Sequence, residues 1–337
     1  MFAQFVQPYW TALNDRLQDI VRSELPDEPG FGAMVRYAMG WENEDGSPYD
    51  KLTGKRLRPA LLLMANQSAG GQWTDALDAA ASVELLHNFS LIHDDIQDNS
   101  PIRHNRPTVW RVWGVANAIN AGDAMFALAY ASMAKMSDVV SPEVALRLWA
   151  IFNRTNLELT RGQHLDMRFE QLERVSVDDY ISMLKGKTGS LLSACAEMGA
   201  LTANGNEKQA SKYGEFGLNM GIAFQIRDDI LGIWGNSDVT GKSAATDIQS
   251  KKKSLPVLYG LTHSPELVEL YQVDDFGDPE IEKAVHLLDE VQARQYAIEQ
   301  EQKFHQAAMA ALDEAQPDSQ ATAPLHEFVD ALFDRTY

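Results

Sequence analysis

The sequence has little cysteine and contains no long hydrophobic run. Its single cysteine, Cys195, cannot form an intramolecular disulfide. Because it lies in a helical stretch rich in Ala, Leu and Ser, we interpret it as a small core residue without a catalytic role. No stretch approaches the roughly 18 apolar residues that a membrane span needs, and residues 1–10 lack the pattern of a signal peptide. We therefore expect a cytoplasmic protein without stable membrane insertion.

Positive charge is also scarce. The chain has 29 Lys and Arg against 48 Asp and Glu, and its net charge is −19. Nucleic acids and anionic membranes are bound through a surplus of basic residues, so this balance argues against both as partners. The few basic clusters become informative: "GKRLRP" at 54–59, Arg103 to Arg106, and Lys251 to Lys253. Each of them, taken alone, could also be a solvated surface patch.

The apolar pattern indicates helices throughout. The 337 residues are 45% hydrophobic, enough for a large core. Long segments repeat at the helical period, and no sustained alternation typical of strands is present. The predicted helices lie near 75–98, 120–136, 142–170, 178–203, 207–235 and 279–312. We predict an all-α fold in which residues 1–337 form one large single-domain helical bundle.

Two aspartate pairs end two of these helices. The segment "LIHDDIQD" at 91–98 has a similar counterpart, "QIRDDILG" at 225–232. The Asp-Asp pairs of the two segments are 134 positions apart (228 − 94 = 134). Asp94 and Asp98 project from one face of a helix one turn apart, with Asp95 on the flank. Carboxylates held so close repel, and their oxygen ligands suit Mg²⁺ or Mn²⁺. A lone motif could be a solvated helix end, but Asp228 and Asp229 favour a metal site, provided that both pairs face one cavity.

A divalent cation bound by one or two carboxylates commonly shares its ligands with substrate phosphates. The basic residues supply candidate anion partners. Lys55, Arg56 and Arg58 surround the start of a predicted helix at Pro59. Arg103 follows Asp98 by five residues, and Lys187 with Thr188 offers a cation and a hydroxyl at a glycine break. His87 lies two turns before Asp94, which favours a second, neighbouring anion site; a hydrogen-bonded core histidine is the alternative.

The motifs resemble, in order and spacing, those of the trans-polyprenyl diphosphate synthases, the head-to-tail isoprenyl diphosphate synthase family. They are "GKRLRP", "HNFSLIHDDIQD", "RPTVW", "GKTGSL", "FQIRDDILGIWG" and "TGKSAATDIQSKKKSLPVL", within residues 50–260. The resemblance implies a helical prenyltransferase bundle around a central cavity and a homodimer. It also implies about three Mg²⁺ per site, for which Mn²⁺ can substitute, and two substrates, isopentenyl diphosphate and an allylic diphosphate.

The resemblance also implies a role for each motif residue. Metal ligands would be Asp94, Asp98 and Asp228, with Asp95 and Asp229 supporting. The isopentenyl diphosphate site would comprise Lys55, Arg58 and His87, with Arg56 as a weaker candidate. The partners of the allylic diphosphate and the leaving group would be Arg103, Lys187, Thr188, Gln225, Lys242 and Lys252. Catalysis would rest chiefly on Asp94, Asp98, Asp228, Lys187 and Arg103.

Two positions depart from the family pattern. His104 stands where a second arginine is usual, which implies a weaker and pH-sensitive cation. Gly232 stands where the second motif usually closes with a third aspartate; the remaining pair suffices for a metal.

Product length is predicted from Phe89 and Ser90, five and four positions before Asp94. This arrangement resembles that of geranylgeranyl (C20) synthases. A farnesyl (C15) or longer product is the alternative, with a floor deeper in the bundle near Met125 to Met136. Other activities remain open: a terpene cyclase, which would have little use for the isopentenyl site, a non-catalytic subunit of a heteromeric synthase, and a Mg²⁺-dependent diphosphohydrolase.

Overall fold

The computed structural model describes residues 3–25, 30–49, 54–172, 174–235, 246–273, 276–318 and 320–333. These residues form two compact units, which are described separately below. Unit 1 comprises Met1–Ala150, Cys195–Ala210 and Pro317–Leu325. Unit 2 comprises Ile151–Ala194, Ser211–Gln316 and His326–Tyr337. That residues 1–337 form a single domain stays a prediction.

Helices make up almost all of the described secondary structure, so the all-α prediction is confirmed. In chain order they are α1 (Ala3–Glu24), α2 (Phe31–Ala38), α3 (Leu57–Ser68), α4 (Leu77–Gln97), α5 (Val109–Trp113), α6 (Val115–Ala134), α7 (Pro142–Gln171), α8 (Val177–Leu184), α9 (Ser190–Asn204), α10 (Glu207–Trp234), α11 (Thr246–Gln249), α12 (Leu255–His263), α13 (Pro265–Tyr271), α14 (Asp278–Glu290), α15 (Ala293–Glu314) and α16 (Ala323–Phe333). Two short strands, β1 (Ile102–Arg103) and β2 (Arg106–Pro107), form a hairpin between α4 and α5.

Two of the predicted helices are broken in the structure. The segment 178–203 consists of α8, a π-helical turn over Lys185–Gly189, and α9. The segment 279–312 is divided between α14 and α15 at Gln292, whose φ of +59° ends the first helix. The first falls at the glycines of "KGKTG", where the sequence already indicated a glycine break. Periodicity did not reveal the second, because residues 286–298 contain neither glycine nor proline.

The core of unit 1 depends on small residues. Ala79, Ala80 and Ala81 of α4 are completely buried, and α4 packs closely on α6. A Cβ added at Gly122 of α6 would lie 2.3 Å from Nε2 of His93 on α4. Glycine at this position therefore allows α4 and α6 to pack closely together. The acidic end of α4 follows directly after this well-packed part of the core.

The core of unit 2 is built around α10. Ile222, Ile226 and Ile230 recur every four residues and are completely buried. They pack with residues of α8 and α12, including Tyr180 and Leu255. One face of α10 is thus fixed by apolar packing, which orients the aspartates near its end. In the described residues of both units, no helix combines the length and apolar character that a membrane crossing needs.

Candidate functional site

In unit 1, Asp94 and Asp95 of the first acidic motif lie in the last turn of α4, and Asp98 is the C-cap of that helix. Asp95 is 5% exposed, while Asp94 is half-buried and Asp98 is exposed. Nε of Arg103 donates a hydrogen bond to Oδ1 of Asp95 at 2.8 Å. Burial raises the pKa of Asp95, and the Arg103 guanidinium opposes that rise. Asp95 is therefore buried and paired with the Arg103 guanidinium, whereas Asp94 and Asp98 are more accessible to solvent.

The β1–β2 hairpin brings Arg103 back to α4. His104 and Asn105 form its turn with φ values of +51° and +61°, as a two-residue hairpin with both central residues left-handed requires. Arg106 holds the other strand, because its guanidinium stacks over the rings of Tyr37 and Tyr49. The hairpin thus places Arg103 eight residues beyond Asp95 and in direct contact with it.

Arg58 and His87 meet at the predicted isopentenyl diphosphate site. Nη1 of Arg58 lies 3.1 Å from Nε2 of His87. Because a guanidinium only donates, Nε2 of His87 must accept, which requires the neutral imidazole with its proton on Nδ1. Burial lowers the pKa of His87 well below 6.5, and the neighbouring cations, first Arg58, lower it further. The pair therefore carries one positive charge, on Arg58.

The neighbouring basic residues differ in their surroundings. Arg56 is buried and forms an ion pair with Glu84, and its Nη2 donates to the carbonyl of Met39 at 2.8 Å. These contacts indicate that Arg56 anchors the start of α3. Lys55 is exposed. Burial lowers the pKa of His104, and the charges of Arg103, Arg56 and Lys55 lower it as well.

An aromatic column stands beside the first acidic motif in unit 1. The ring of Phe89 lies 5.1 Å from that of Phe126, which lies 5.0 Å from Tyr130, which lies 5.3 Å from Trp149. These four rings, named the aromatic column below, restrict the positions that Phe89 can take. Ser90 points its hydroxyl at its own helix, donating to the carbonyl of His87 at 2.8 Å.

In unit 2, two glycines bring α7 against the π-helical turn. A Cβ on Gly162 would lie 2.1 Å from the backbone nitrogen of Lys187, and a Cβ on Gly186 would lie 2.7 Å from the carbonyl oxygen of Glu158. The two backbones therefore touch where no side chain fits. This approach brings Nζ of Lys187 into an ion pair with Asp166, also on α7. A π-helical turn, rare in proteins, frequently marks a functional site.

Asp229 is the centre of a hydrogen-bond network in unit 2. It is completely buried. Its Oδ2 accepts from the hydroxyl of Tyr180 at 2.5 Å and from the backbone nitrogen of Leu255 at 3.3 Å. Its Oδ1 lies 3.4 Å from Nε2 of Gln225 and 3.5 Å from Nζ of Lys252. Burial raises the pKa of Asp229, and Lys252 opposes this rise.

Lys252 and Thr188 extend this network. Nζ of Lys252 also lies 3.3 Å from Asp247, and the Thr188 hydroxyl lies 3.3 Å from Oε1 of Gln225. Burial alone would lower the pKa of Lys252, but the charges of Asp229 and Asp247 raise it. The side chain of Lys252 is nevertheless 46% exposed. A charged ammonium is therefore held in place and stays accessible to solvent.

The two acidic motifs correspond in detail. In each, the first aspartate (Asp94, Asp228) is half-buried, and the second (Asp95, Asp229) is buried and contacts a cation that follows it in the chain. Within each motif taken by itself, this division suits a first aspartate that could bind a divalent metal and a second aspartate that supports it. Among the described residues, no group of three or more His, Cys, Asp and Glu side chains is arranged to hold a metal by itself. A diphosphate supplying further oxygens would meet this need.

The structure thus groups the predicted residues in two sets, each described within its own unit. Lys242 lies outside the described residues. That the two acidic motifs face a common cavity stays a prediction. Sequence reasoning missed four contributors: Glu84, Asp166, Tyr180 and Asp247. Asp166 had no signal of its own, because its contact with Lys187 depends on the close approach of the two backbones at Gly162.

An all-α fold carrying two acid-and-cation clusters defines a protein of the isoprenoid synthase type. The sequence profile of the polyprenyl synthetase family matches residues 46–288. A farnesyl diphosphate synthase of Mycobacterium bovis is 43% identical over 236 residues, 70% of this chain and 65% of that protein, slightly under two thirds of its length. A geranylgeranyl diphosphate synthase of Mycobacterium tuberculosis is 38% identical over 290 residues, 85% of this chain and 82% of that one.

The solved structures agree with these sequence matches. A polyprenyl synthetase from Streptomyces coelicolor superposes with a TM-score of 0.90 at 31% identity, covering 98% of this chain and 99% of the other. A geranylgeranyl pyrophosphate synthetase from Pyrococcus horikoshii gives 0.88 at 28% identity, covering 99% and 98%. The chain belongs to the polyprenyl synthetase family.

Proposed function

We propose that this protein catalyses the Mg²⁺-dependent head-to-tail condensation of isopentenyl diphosphate with an allylic diphosphate. The observation that supports this most is the correspondence of the two acidic motifs, each with a half-buried aspartate beside a buried aspartate that holds a cation. Carboxylates and cations interleaved in this way suit a substrate that is a strong anion and is bound through metal. The family membership supports the same reaction.

In this proposal isopentenyl diphosphate binds in unit 1. Arg58 supplies a permanent charge, and Lys55 supplies an exposed ammonium at the start of α3. His87, neutral in the free protein, orients the Arg58 guanidinium by accepting its hydrogen bond. His104 offers a neutral imidazole at the hairpin turn, so it contributes hydrogen bonding where an arginine would contribute charge.

The allylic diphosphate is proposed to be bound by both acidic motifs. Asp94, Asp98 and Asp228 would hold Mg²⁺ together with the substrate's diphosphate, and the bound ions would act as Lewis acids that stabilise the departing pyrophosphate. Arg103, Lys187 and Lys252 neutralise its remaining charge, and Thr188 offers a hydroxyl.

The reaction then needs no protein nucleophile. The allylic C–O bond breaks and releases pyrophosphate. The double bond of isopentenyl diphosphate supplies the electron pair of the new C–C bond to the allylic cation. A proton is then lost to the released pyrophosphate, which restores a double bond. The protein positions both substrates and excludes water.

We further propose that the product is C20, geranylgeranyl diphosphate. Relatives are named for farnesyl, geranylgeranyl and geranylfarnesyl products, so their names do not choose among chain lengths. Support comes from Phe89, whose ring is backed by the aromatic column and would resist displacement by a growing chain. A homodimer is part of the same proposal, and sedimentation of the purified protein would test it.

The experiment that tests the proposed reaction compares aspartate variants. Incorporation of radiolabelled isopentenyl diphosphate into an extractable prenyl product would be measured with Mg²⁺ for wild type, Asp94→Asn and Asp228→Asn. The control is Asp15→Asn, because Asp15 is an exposed residue on α1. We expect both motif variants to lose at least about 100-fold in kcat, since each loses a charge that the transition state needs. Full activity in either motif variant would contradict the proposal.

A further inference from the structure

Arg227 directly precedes Asp228 on α10, and its side chain joins α10 to two other helices of unit 2. Its Nε lies 3.0 Å from Oε1 of Glu301 on α15. Its Nη2 donates a hydrogen bond of 2.9 Å to the carbonyl oxygen of Phe333, the last residue of α16. The side chains of Arg227 and Glu301 are 13% and 5% exposed. A largely buried ion pair therefore lies one residue away from Asp228, the proposed metal ligand.

The partners of Arg227 are themselves held in place. His305 lies one turn after Glu301 on α15, and its ring is 4.7 Å from the ring of Phe333. Leu332 of α16 is buried. Burial raises the pKa of Glu301, and the Arg227 guanidinium opposes this rise. Carbonyl groups in the last turn of a helix carry partial negative charge, so a guanidinium stabilises that turn as well. Arg227 thus joins three helix segments at one point.

These contacts restrain a flank of α10 other than its apolar face. Each residue turns an α-helix by about 100°, so Arg227 lies about 100° around the axis from Ile226 and from Asp228. Ile226 is completely buried in the apolar cluster of unit 2, whereas Asp228 is half-buried. The end of α10 can neither rotate nor slide without breaking the apolar packing or the guanidinium contacts. The direction of the Asp228 carboxylate therefore depends on both.

We propose that Arg227 is a positioning residue for the second acidic motif, and that it acts by fixing the end of α10 to the C-terminal helix α16 through the Phe333 carbonyl. A guanidinium suits this role because its planar fork of donors can meet a carboxylate and a carbonyl together. The effect on catalysis rests on the proposed function. The link between α10 and α16 does not.

The first test uses the metal-free protein and needs no substrate. Arg227→Met should speed amide hydrogen exchange at residues 330–333 and lower Tm, because α16 loses a bond and Glu301 is left unpaired in the interior. Adding Glu301→Gln should recover much of the Tm, because no unpaired charge is then buried, while exchange stays fast. Lys212→Met is the matched control: Lys212 joins the other end of α10 to Glu314 of α15, and its loss should leave exchange at residues 330–333 unchanged.

The second readout is steady-state elongation. Arg227→Met with Glu301→Gln should lose at least about tenfold in kcat and need several times more Mg²⁺ for half-maximal activity, because Asp228 is no longer held in its direction. KM for isopentenyl diphosphate should stay unchanged. Glu301→Gln alone, which keeps the bond to Phe333, should retain most of kcat, as should Lys212→Met. Arg227→Lys should fall between the wild type and the double variant, because an ammonium lacks the fork.

Two results would overturn the proposal. If kcat returned together with Tm in the double variant, Arg227 would contribute to stability alone. If exchange at residues 330–333 were unchanged in Arg227→Met, the link to α16 would be wrong. A wild-type protein without elongation activity would instead remove the proposed function, and the exchange measurement would still decide whether Arg227 fixes α16 to α10.

Discussion

Gly162→Ala is expected to damage activity by moving two backbones apart. The added Cβ would lie 2.1 Å from the nitrogen of Lys187, 2.6 Å from the carbonyl carbon of Gly186 and 2.7 Å from the Cα of Lys187. All three are backbone atoms, so no side chain can rotate away. Reaching even 3.0 Å, below which Cβ contacts are essentially never found, requires a shift of at least 0.9 Å (3.0 − 2.1 = 0.9).

Two magnitudes follow from this displacement. Overpacking of this kind costs about 1–3 kcal/mol, which at about 2–4 °C per kcal/mol lowers Tm by about 2–12 °C. A catalytic group misplaced by about 1 Å loses roughly 100-fold in rate, so kcat should fall by that order because Lys187 moves. KM for isopentenyl diphosphate should change little, since Arg58 and His87 belong to unit 1.

The assay combines steady-state elongation kinetics with thermal unfolding, and Gly277→Ala is the control. A Cβ at Gly277 meets its nearest neighbour at 3.4 Å, and that neighbour is the flexible end of Glu280. We expect the control to keep wild-type kcat and to show only a small decrease in Tm, because Gly277 is the N-cap of α14, where alanine is less favourable than glycine. If Gly162→Ala kept wild-type Tm and kcat, the close approach of α7 to the π-helical turn could not be what positions Lys187.

Three further outcomes are expected. Phe89→Ala should lengthen the product by at least one isoprene unit, because it removes the top of the aromatic column, while Phe89→Tyr should keep the C20 product; an unchanged product in Phe89→Ala would exclude Phe89 as the floor. Since the folded-state pKa of His87 is depressed below 6.5, the unfolded chain binds more protons there as pH falls. The free energy of unfolding should therefore decrease more between about pH 7.5 and about pH 5.5 in wild type than in His87→Gln, and equal decreases in urea titrations would refute the neutral buried His87. Arg56→Met should cost about 3–5 kcal/mol by leaving Glu84 unpaired in the interior, and Arg56→Met with Glu84→Gln should recover much of it; a stable Arg56→Met with raised KM would instead make Arg56 a substrate ligand.

The all-α class and the charged residues of each motif could be predicted from the sequence, because both depend on local patterns. Helical periodicity is local, and carboxylates at spacing four share a helix face wherever the helix lies. Arg103 could likewise be placed near the first acidic motif, because only a short turn separates them, and its contact with Asp95 agrees with this expectation.

The contributions of Asp166 and Asp247 could not be predicted in the same way. Each depends on a glycine that removes a side chain at another position, Gly162 for Asp166 and Gly232 for Asp247. Which backbone approaches such a glycine is a long-range property of packing and has no periodic signature. The different burial within each aspartate pair was not visible from residue type, although the family resemblance had already implied that Asp95 and Asp229 support the first aspartates.

The most direct measurement is the size of the product. The purified protein would be incubated with Mg²⁺, isopentenyl diphosphate and, separately, dimethylallyl, geranyl or farnesyl diphosphate, with a chelator control, and the dephosphorylated alcohols would be sized by chromatography. We expect a C20 alcohol that disappears when the metal is chelated. A shorter or longer linear alcohol would contradict the C20 product alone. A cyclic hydrocarbon, or phosphate release without elongation, would contradict the condensation reaction itself.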